Sequence, residues 1–137
     1  MEKTEISSSE WEVMRVVWTL GETTSSQMIE ILSRKKEWSS STIKTLLSRL
    51  TDKGFLNVKK DGRKNIYITA INEQDAYSFL AERVFNNMCC MHYGETIYSI
   101  IDQIELSQSD IDSLIQLLKD KRKAAPEKVK CRCIENN

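Results

Sequence analysis

The chain contains an amphipathic repeat over residues 38–53, where apolar and polar positions alternate with the period of an α-helix. Its apolar positions lie on one side of a helix with about 3.6 residues per turn: Ile43, Leu46, Leu47 and Leu50. Ser39 is a candidate N-cap, because its hydroxyl can accept a hydrogen bond from a free N–H group of the first turn. Gly54 follows Lys53, where a left-handed C-terminal conformation costs glycine least. The pattern therefore predicts a helix with both ends defined.

Two shorter helical patterns precede this repeat. Ser9 is a candidate cap for the first helix, with Glu12 as its capping-box partner, and Gly21 ends that helix. Thr24 or Ser25 begins the second helix. The side chains predicted to be buried are Trp11, Met14, Val17, Trp18 and Leu20 in the first helix, and Met28, Ile29, Ile31 and Leu32 in the second. Three short helices with brief turns between them predict a helix-turn-helix core.

After Gly54 the period becomes that of β-structure. Residues 55–60 and 65–70 alternate, and the dipeptide Asp61-Gly62 between them favours a tight turn. A hairpin directly after a helix-turn-helix is the arrangement of a winged helix, and a basic tip would fit a phosphate backbone. The alternative is a solvated edge hairpin whose lysines prevent pairing with other edges.

Three amphipathic patterns follow the hairpin, over residues 72–91, 97–104 and 111–118, with Ser107 or Ser109 as a cap before the last. Their apolar stripes are too extensive for a linker and cannot enclose a core alone. They predict a dimerisation region in which each chain buries the stripes of the other. The alternative is that they fold back onto the N-terminal half.

The predicted fold is mainly α with a small β-hairpin, and its 137 residues suit one small domain with an extension. We expect an N-terminal winged helix-turn-helix, the DNA-binding domain, at residues 1–71. A C-terminal helical dimerisation domain is expected at residues 72–123. Pro126 and its polar neighbours then predict a flexible tail at residues 124–137. Its expected role as a metal-binding tail depends on Cys131 and Cys133.

Charge is separated along the chain, although the formal net charge is zero. Residues 34–64 hold ten bases and three acids, whereas residues 1–33 hold two bases and six acids. A concentrated positive segment attracts polyanions even on a neutral protein, and the polar side of the 38–53 helix carries no acid before Asp52. The candidate DNA-binding residues are Ser40, Ser41, Thr42, Lys44, Thr45, Ser48, Arg49, Lys59, Lys60, Arg63 and Lys64.

Within that set, cations are expected to position the protein and hydroxyls to read sequence. Lys44, Arg49 and the hairpin cations would contact phosphates, whereas Ser41, Thr42 and Thr45 would contact base edges in the major groove of double-stranded DNA. The alternatives are an ordinary solvated helix face and a winged helix that binds protein instead of DNA.

Composition argues against a membrane protein and an enzyme. No apolar run approaches the roughly 18 residues needed to span a bilayer, and the acidic N-terminus does not resemble a signal peptide. We therefore expect a cytoplasmic protein whose four cysteines stay reduced. With one histidine, no glycine-rich phosphate loop and no paired acid–base groups, neither an enzyme nor a small-molecule substrate is expected.

Cys131 and Cys133 are candidate metal ligands, because two thiols at i and i+2 of an extended chain point to the same side. Cu(I) accepts few thiolates, whereas Zn(II) prefers four ligands, which the two tails of a dimer would supply. Two idle thiols are the alternative. Cys89 and Cys90 fall on the predicted 72–91 helix, where neighbouring side chains diverge by about 100°, so they are interpreted first as small buried hydrophobes. Together with His92 they stay candidates for additional metal or redox groups.

The chain resembles the penicillinase-repressor superfamily of winged-helix regulators, the BlaI/MecI/CopY type, from about Ser9 to the C-terminus. The resemblance is carried by EWEVMRVVW at 10–18, WSSSTIKTLLSRLTDKGFL at 38–56 and KKDGRKNIY at 59–67. It implies a homodimeric repressor whose winged helices bind a palindromic operator similar to TACAnnTGTA.

The C-terminal C-x-C is similar to the copper-responsive CopY branch, and this implies metal-ligand roles for Cys131 and Cys133. In that branch Zn(II) is linked to repression, and Cu(I) displaces it and releases the DNA. The CopY pattern often has two C-x-C pairs, whereas this chain has one. The site then either spans two chains or is completed by Cys89, Cys90 or His92.

The prediction is a copper-responsive repressor, and two rivals share its fold. One is a repressor of the β-lactam response that is inactivated by proteolysis. The other is a thiol redox sensor, in which the Cys89-Cys90 pair or the tail is oxidised. An enzyme of thiol chemistry is a third and weaker alternative.

Overall fold

The computed structural model describes residues 5–135, which form six α-helices and a three-stranded sheet. The chain separates into two compact units, Met1–Tyr77 and Ser78–Asn137. In order, the elements are α1 (Ser8–Leu20), β1 (Glu22–Thr24), α2 (Ser25–Lys35), α3 (Ser40–Asp52), β2 (Leu56–Asp61), β3 (Lys64–Thr69), α4 (Glu73–Asn86), a 3₁₀ turn (Cys90–His92), α5 (Tyr93–Gln103) and α6 (Gln108–Arg122). The predicted fold class, mainly helical with a small β element, is confirmed.

Side-chain caps begin the helices of the first unit. Thr24, one of the two residues predicted to begin α2, is its cap, and Ser39 caps α3 as predicted. The prediction for α1 was wrong by two residues, because its cap is Ser7 and its capping-box partner is Glu10. Glu10 Oε1 accepts the Ser7 N–H at 2.8 Å, and the Ser7 hydroxyl accepts the Glu10 N–H at 3.2 Å. This register is selected because Lys53, far away in the sequence, also holds the Glu10 carboxylate.

The sheet has the order β1-β3-β2, and both pairings are antiparallel. The hairpin was predicted, but its two-residue loop is Gly62-Arg63, since Asp61 pairs with Lys64. Gly62 has φ 65°, the positive φ that a type II′ turn requires at its first central residue. The edge strand β1 was not predicted, because three residues are too short to show an alternating pattern.

The core of the first unit lies where α1, α2 and α3 pack on one another and on the sheet. Its buried side chains are Val13, Met14, Val17, Met28, Leu32, Ile43, Leu46, Leu47, Leu50, Leu56 and Tyr67. All four apolar positions of the α3 repeat are buried, as predicted. Leu20 was predicted to be buried but is 45% exposed, because it ends α1 where the chain turns into β1.

Aromatic side chains link α1 to the start of α4 within the first unit. The rings of Trp11 and Trp18 each lie 5.6 Å from the ring of Tyr77. The indole N–H of Trp18 donates to the Ile71 carbonyl oxygen at 3.1 Å. These contacts fix the segment that leaves the winged helix.

In the second unit, α4 is shorter than predicted. It ends at Asn86 and not at Met91, and the Asn87 and Met88 N–H groups close it with bonds to the carbonyl oxygens of Val84 and Phe85. The adjacent asparagines favour this ending, since their side chains compete with helical hydrogen bonds. Cys89 and Cys90 therefore lie in a turn between helices, not on a helix.

The helices of the second unit keep their apolar stripes exposed in the single chain. Ser107 caps α6, one of the two predicted positions. The exposed apolar side chains include Phe79, Leu80 and Val84 on α4, Ile97, Ile100 and Ile101 on α5, and Ile111, Ile115 and Leu118 on α6. Among residues 5–135, no helix is both long and apolar enough to cross a membrane.

Candidate nucleic-acid interface and thiol cluster

Helix α3 presents a polar side opposite its buried leucines. Every predicted DNA-binding residue on α3 is exposed, and so are the predicted cations of the hairpin. The Ser39 hydroxyl lies 3.1 Å from the Ser41 hydroxyl and 3.0 Å from the Thr42 hydroxyl, and the Thr45 hydroxyl donates to the Ser41 carbonyl oxygen at 2.9 Å. These contacts orient the hydroxyls and leave lone pairs open to solvent.

A basic cleft separates α3 from the hairpin. Its volume is about 470 Å³, and it is lined by Lys44 and Ser48 of α3 and by Arg63, Lys64 and Asn65 of the hairpin. Its third wall is the N-terminus of α2, with Thr24, Ser25 and Ser26. The cleft thus combines cations from two elements with the partial positive charge of a helix start, which suits a phosphate group.

The contribution of Ser25 and Ser26 was not predicted from the sequence, although two serines directly after an N-cap are a visible signal of a helix start. Two smaller hollows flank the cleft. One, of about 260 Å³, is lined by Ser41, Thr42, Thr45, Leu46 and Arg49. In the other, Lys60 lies near Ser48. Lys59, next to Lys60 along β2, is exposed but does not line either hollow or the cleft.

Apart from Arg34, which pairs with Glu30 within α2, the bases of residues 34–64 fall into two groups according to their ion pairs. Lys35 and Lys36 lie 3.3 Å and 3.7 Å from the carboxylate of Glu12 on α1, and Lys53 pairs with Glu10. These lysines therefore hold the helices together. Within residues 5–135, no ion pair involves the six cations predicted to contact DNA, namely Lys44, Arg49, Lys59, Lys60, Arg63 and Lys64.

The Glu10–Lys53 pair anchors the C-terminal end of α3 to α1. Lys53 Nζ lies 2.6 Å from Glu10 Oε1 and donates to the Glu5 carbonyl oxygen at 2.9 Å. Glu10 is 1% exposed. Burial acts to raise the pKa of Glu10, but hydrogen bonds from Lys53 and Ser7 outweigh it, and the pKa is lowered overall. The carboxylate is thus charged at neutral pH.

Three thiols converge in the second unit. The sulfur atoms of Cys89, Cys131 and Cys133 all lie within 4.8 Å of one another, and the Sγ atoms of Cys89 and Cys131 are 3.8 Å apart. The Cys90 thiol instead donates to the Lys130 carbonyl oxygen at 3.2 Å, and neither it nor His92 belongs to the cluster. The structure thus brings together both predicted tail ligands and adds Cys89, half-buried in the turn after α4.

The thiols of the cluster influence one another's protonation. Hydrogen bonds lower the pKa of Cys89, and the bond from the Met91 backbone contributes more than the bond from the Cys133 side chain. Hydrogen bonding to Cys89 and Cys131, with the repulsion between their charges, raises the pKa of Cys133 to about 12. The Cys133 thiol therefore keeps its proton at neutral pH, and a soft cation bound at the cluster would displace that proton.

The sequence was compared with protein families and with known proteins. The profile described as Penicillinase repressor matches residues 6–120. The chain belongs to the penicillinase-repressor family. Members of this family are DNA-binding transcriptional repressors and not enzymes. The predictions that the chain is a DNA-binding repressor and that it is not an enzyme are therefore confirmed. The family assignment also explains the winged helix.

Individual relatives of this repressor agree with the family assignment. It is 47% identical over 132 residues to an uncharacterized 16.5 kDa protein of Latilactobacillus sakei, covering 96% of this chain and 90% of that one. It is 32% identical over 117 residues to the methicillin resistance regulatory protein MecI of Staphylococcus aureus strain N315, covering 85% and 95%. The solution structure of the DNA binding domain of the repressor BlaI is similar, with 42% identity and a TM-score of 0.50, covering 53% of this chain and 88% of that domain.

Proposed function

We propose that this repressor binds a palindromic operator in double-stranded DNA as a homodimer, and that Cu(I) releases it by displacing Zn(II) from the C-terminal cysteines. The observation that carries the metal part is the convergence of Cys131 and Cys133 with a third thiol within 4.8 Å. In this proposal residues 1–71 bind DNA, residues 72–123 form the dimer and residues 124–137 bind metal. The proposed compartment is the cytoplasm, where such thiols stay reduced.

The DNA-binding part is supported by the exposed polar side of α3 and the cleft beside it. Lys44 of α3 and Arg63 and Lys64 of the hairpin line one cleft, so cations from both elements can contact the same stretch of phosphate backbone. Thr42, Thr45 and Arg49 share a neighbouring hollow on α3. We assign phosphate contacts to the cations and base contacts to the hydroxyls.

The homodimer is supported by the apolar stripes of the second unit. Ile100 on α5 is 49% exposed, and Ile115 and Leu118 on α6 are 46% and 57% exposed. Exposed apolar side chains that recur along one side of a helix mark interaction sites when they form a patch. Two copies related by a two-fold axis would bury it and would also present two α3 helices to the two halves of a palindrome.

The metal response is supported by the chemistry of the donor set. Cys131 and Cys133 provide the soft thiolate ligands that both Zn(II) and Cu(I) accept. The two ions differ in the number of ligands that they prefer, so exchanging one for the other changes which protein groups are held together. Each ion binds to two arrangements of the protein, one that can hold DNA and one that has released it. The difference between the two binding free energies determines how far the ion changes the affinity for DNA.

The test is fluorescence anisotropy of a labelled palindromic operator with the zinc-loaded full chain, titrated with Cu(I) under reducing conditions. Release at about one Cu(I) per chain supports the proposal, provided that Cys131→Ser/Cys133→Ser protein stays bound. Release by peroxide alone would instead favour the thiol redox sensor, for which the 3.8 Å separation of Cys89 and Cys131 is suitable. Tight binding that ignores both reagents would favour the repressor inactivated by proteolysis.

A further inference from the structure

Cys89 lies in the turn between α4 and the 3₁₀ segment, whereas Cys131 and Cys133 lie in the tail after α6. All three sulfur atoms nevertheless lie within 4.8 Å of one another in one chain. We propose that Cys89, Cys131 and Cys133 of a single chain form a three-thiolate site for a soft monovalent cation, Cu(I), which latches the tail onto the α4–α5 turn. This inference rests on the proposed metal response and specifies its ligands, its stoichiometry and the segment that it controls.

The spacing of the sulfur atoms fits three-coordinate binding. With metal–sulfur bonds of about 2.3 Å, the length known for zinc thiolates, three sulfurs around one ion lie about 4 Å apart. The Cys89 and Cys131 sulfurs are already 3.8 Å apart. Small side-chain rotations therefore suffice to close the site, and the ion does not have to draw in a distant segment.

The number of sulfurs discriminates between the two metals. Three thiolates satisfy Cu(I), whereas Zn(II) in a closed structural site takes four protein ligands. Cys90 is the nearest further thiol along the chain, but it donates to the Lys130 carbonyl oxygen. The Cys90 thiol is therefore engaged outside the cluster. The three-thiol site leaves Zn(II) one ligand short and favours Cu(I).

Surrounding groups compensate the charge that binding creates. Each thiol that binds transfers its proton to solvent, and Cu(I) then neutralises one of three negative charges. The Met91 backbone hydrogen-bonds Cys89 Sγ, and the Cys133 N–H donates to Cys131 Sγ at 3.5 Å. Lys130 and Arg132 flank the tail cysteines and add positive charge.

The proposed site lies within one chain, so it needs no bridge between the two tails of a dimer. Its ion would close a loop from residue 89 to residue 131, a loop that contains α5 and α6 and their exposed stripes. Copper binding therefore restrains the segment on which dimerisation depends.

The test measures Cu(I) binding to metal-free full-length protein by anaerobic competition with bicinchoninate. We expect one Cu(I) per chain for the parent and for Cys90→Ser. Cys90→Ser is the matched control because it removes the neighbouring thiol, while its hydroxyl can still donate to the Lys130 carbonyl oxygen. Cys89→Ser should lower the Cu(I) affinity at least tenfold. X-ray absorption should give three sulfur ligands in the parent and two in Cys89→Ser.

A second measurement detects the latch itself. The tail contains exposed trypsin sites at Lys128, Lys130 and Arg132. Cu(I) should slow cleavage there in the parent and in Cys90→Ser, but not in Cys89→Ser. Circular dichroism of each metal-free variant establishes that its fold is retained.

The outcomes separate this inference from the proposed function. If Cys89→Ser keeps the parent affinity, sulfur number and protection, the latch is overturned, while a copper response through Cys131 and Cys133 stands. One Cu(I) per two chains would also overturn it. If Cys131→Ser/Cys133→Ser protein still releases DNA with copper, the proposed function itself fails.

Discussion

Replacing Glu10 with glutamine should destabilise the DNA-binding unit, because it removes the charge from a buried ion pair. Glu10 is 1% exposed, Lys53 is 23% exposed, and their charged atoms are 2.6 Å apart. Removing one partner of a fully buried pair costs about 3–5 kcal/mol. Since water still reaches Lys53 and the amide can still accept the Ser7 N–H, we expect a loss of about 2 kcal/mol, below that range.

The assay is urea unfolding followed by tryptophan fluorescence. All three tryptophans, Trp11, Trp18 and Trp38, lie in the first unit. The fluorescence signal therefore reports the unfolding of the first unit and not of the second. A loss of 2 kcal/mol lowers the urea midpoint by about 1 M for a slope near 2 kcal/mol/M. Glu30→Gln is the control, because its partner Arg34 is largely exposed, and it should change stability by less than about 0.5 kcal/mol.

The effect should depend on pH in a defined direction. The pKa of Glu10 is lowered in the folded protein from 4.5, so its charge stabilises the fold above that value, and this contribution is lost as pH falls through the lowered pKa. The parent and Glu10→Gln should therefore converge in stability at low pH. Equal stability at pH 7, or a difference that grows on acidification, would refute the assignment of Glu10 and Lys53 as a stabilising pair.

Three further predictions concern DNA binding and assembly. Lys44→Ala should weaken binding to all DNA sequences and reduce the slope of log affinity against log salt by roughly one, measured by anisotropy at several salt concentrations. Thr45→Ala should instead cost roughly 1–3 kcal/mol at one operator position, measured with single-base operator variants; unchanged affinity for every variant would remove it from the base-reading group. Ile101→Asp should shift the protein from dimer to monomer in sedimentation without changing the tryptophan unfolding transition, because its side chain is exposed in the single chain; a persistent dimer would argue against this interface.

For helix α3, the buried positions and the cap could both be predicted from the spacing of residues in the sequence. Ile43, Leu46, Leu47 and Leu50 were predicted to be buried from spacing alone, and Ser39 was predicted to be the cap; both predictions are confirmed. Local signals suffice here because the cap is three residues from the N–H group that it binds. The hairpin was also predicted from neighbouring residues, although its two-residue loop is Gly62-Arg63, one position beyond the predicted Asp61-Gly62.

Predictions were wrong where a residue that is distant in the sequence determines the local structure. Ser9 and Glu12 satisfy the capping-box pattern, yet Ser7 and Glu10 form the box, because Lys53 reaches Glu10 across 43 positions of sequence. In the same way, Cys89 was interpreted as a helical, hydrophobic residue. The helix ends before it, and the fold brings it to Cys131, which is 42 positions away.

The helix periods, most of the caps, the basic segment and the C-x-C motif can all be identified from the sequence alone, because each depends on residues within a few positions of one another. Among residues 5–135, tertiary packing determines which bases form ion pairs that hold the helices together and which stay unpaired on α3 and the hairpin, since that depends on where α1 places Glu10 and Glu12. It also decided that a third thiol joins the tail pair. Contacts of this kind are set by packing between elements, and no local pattern of residues encodes them.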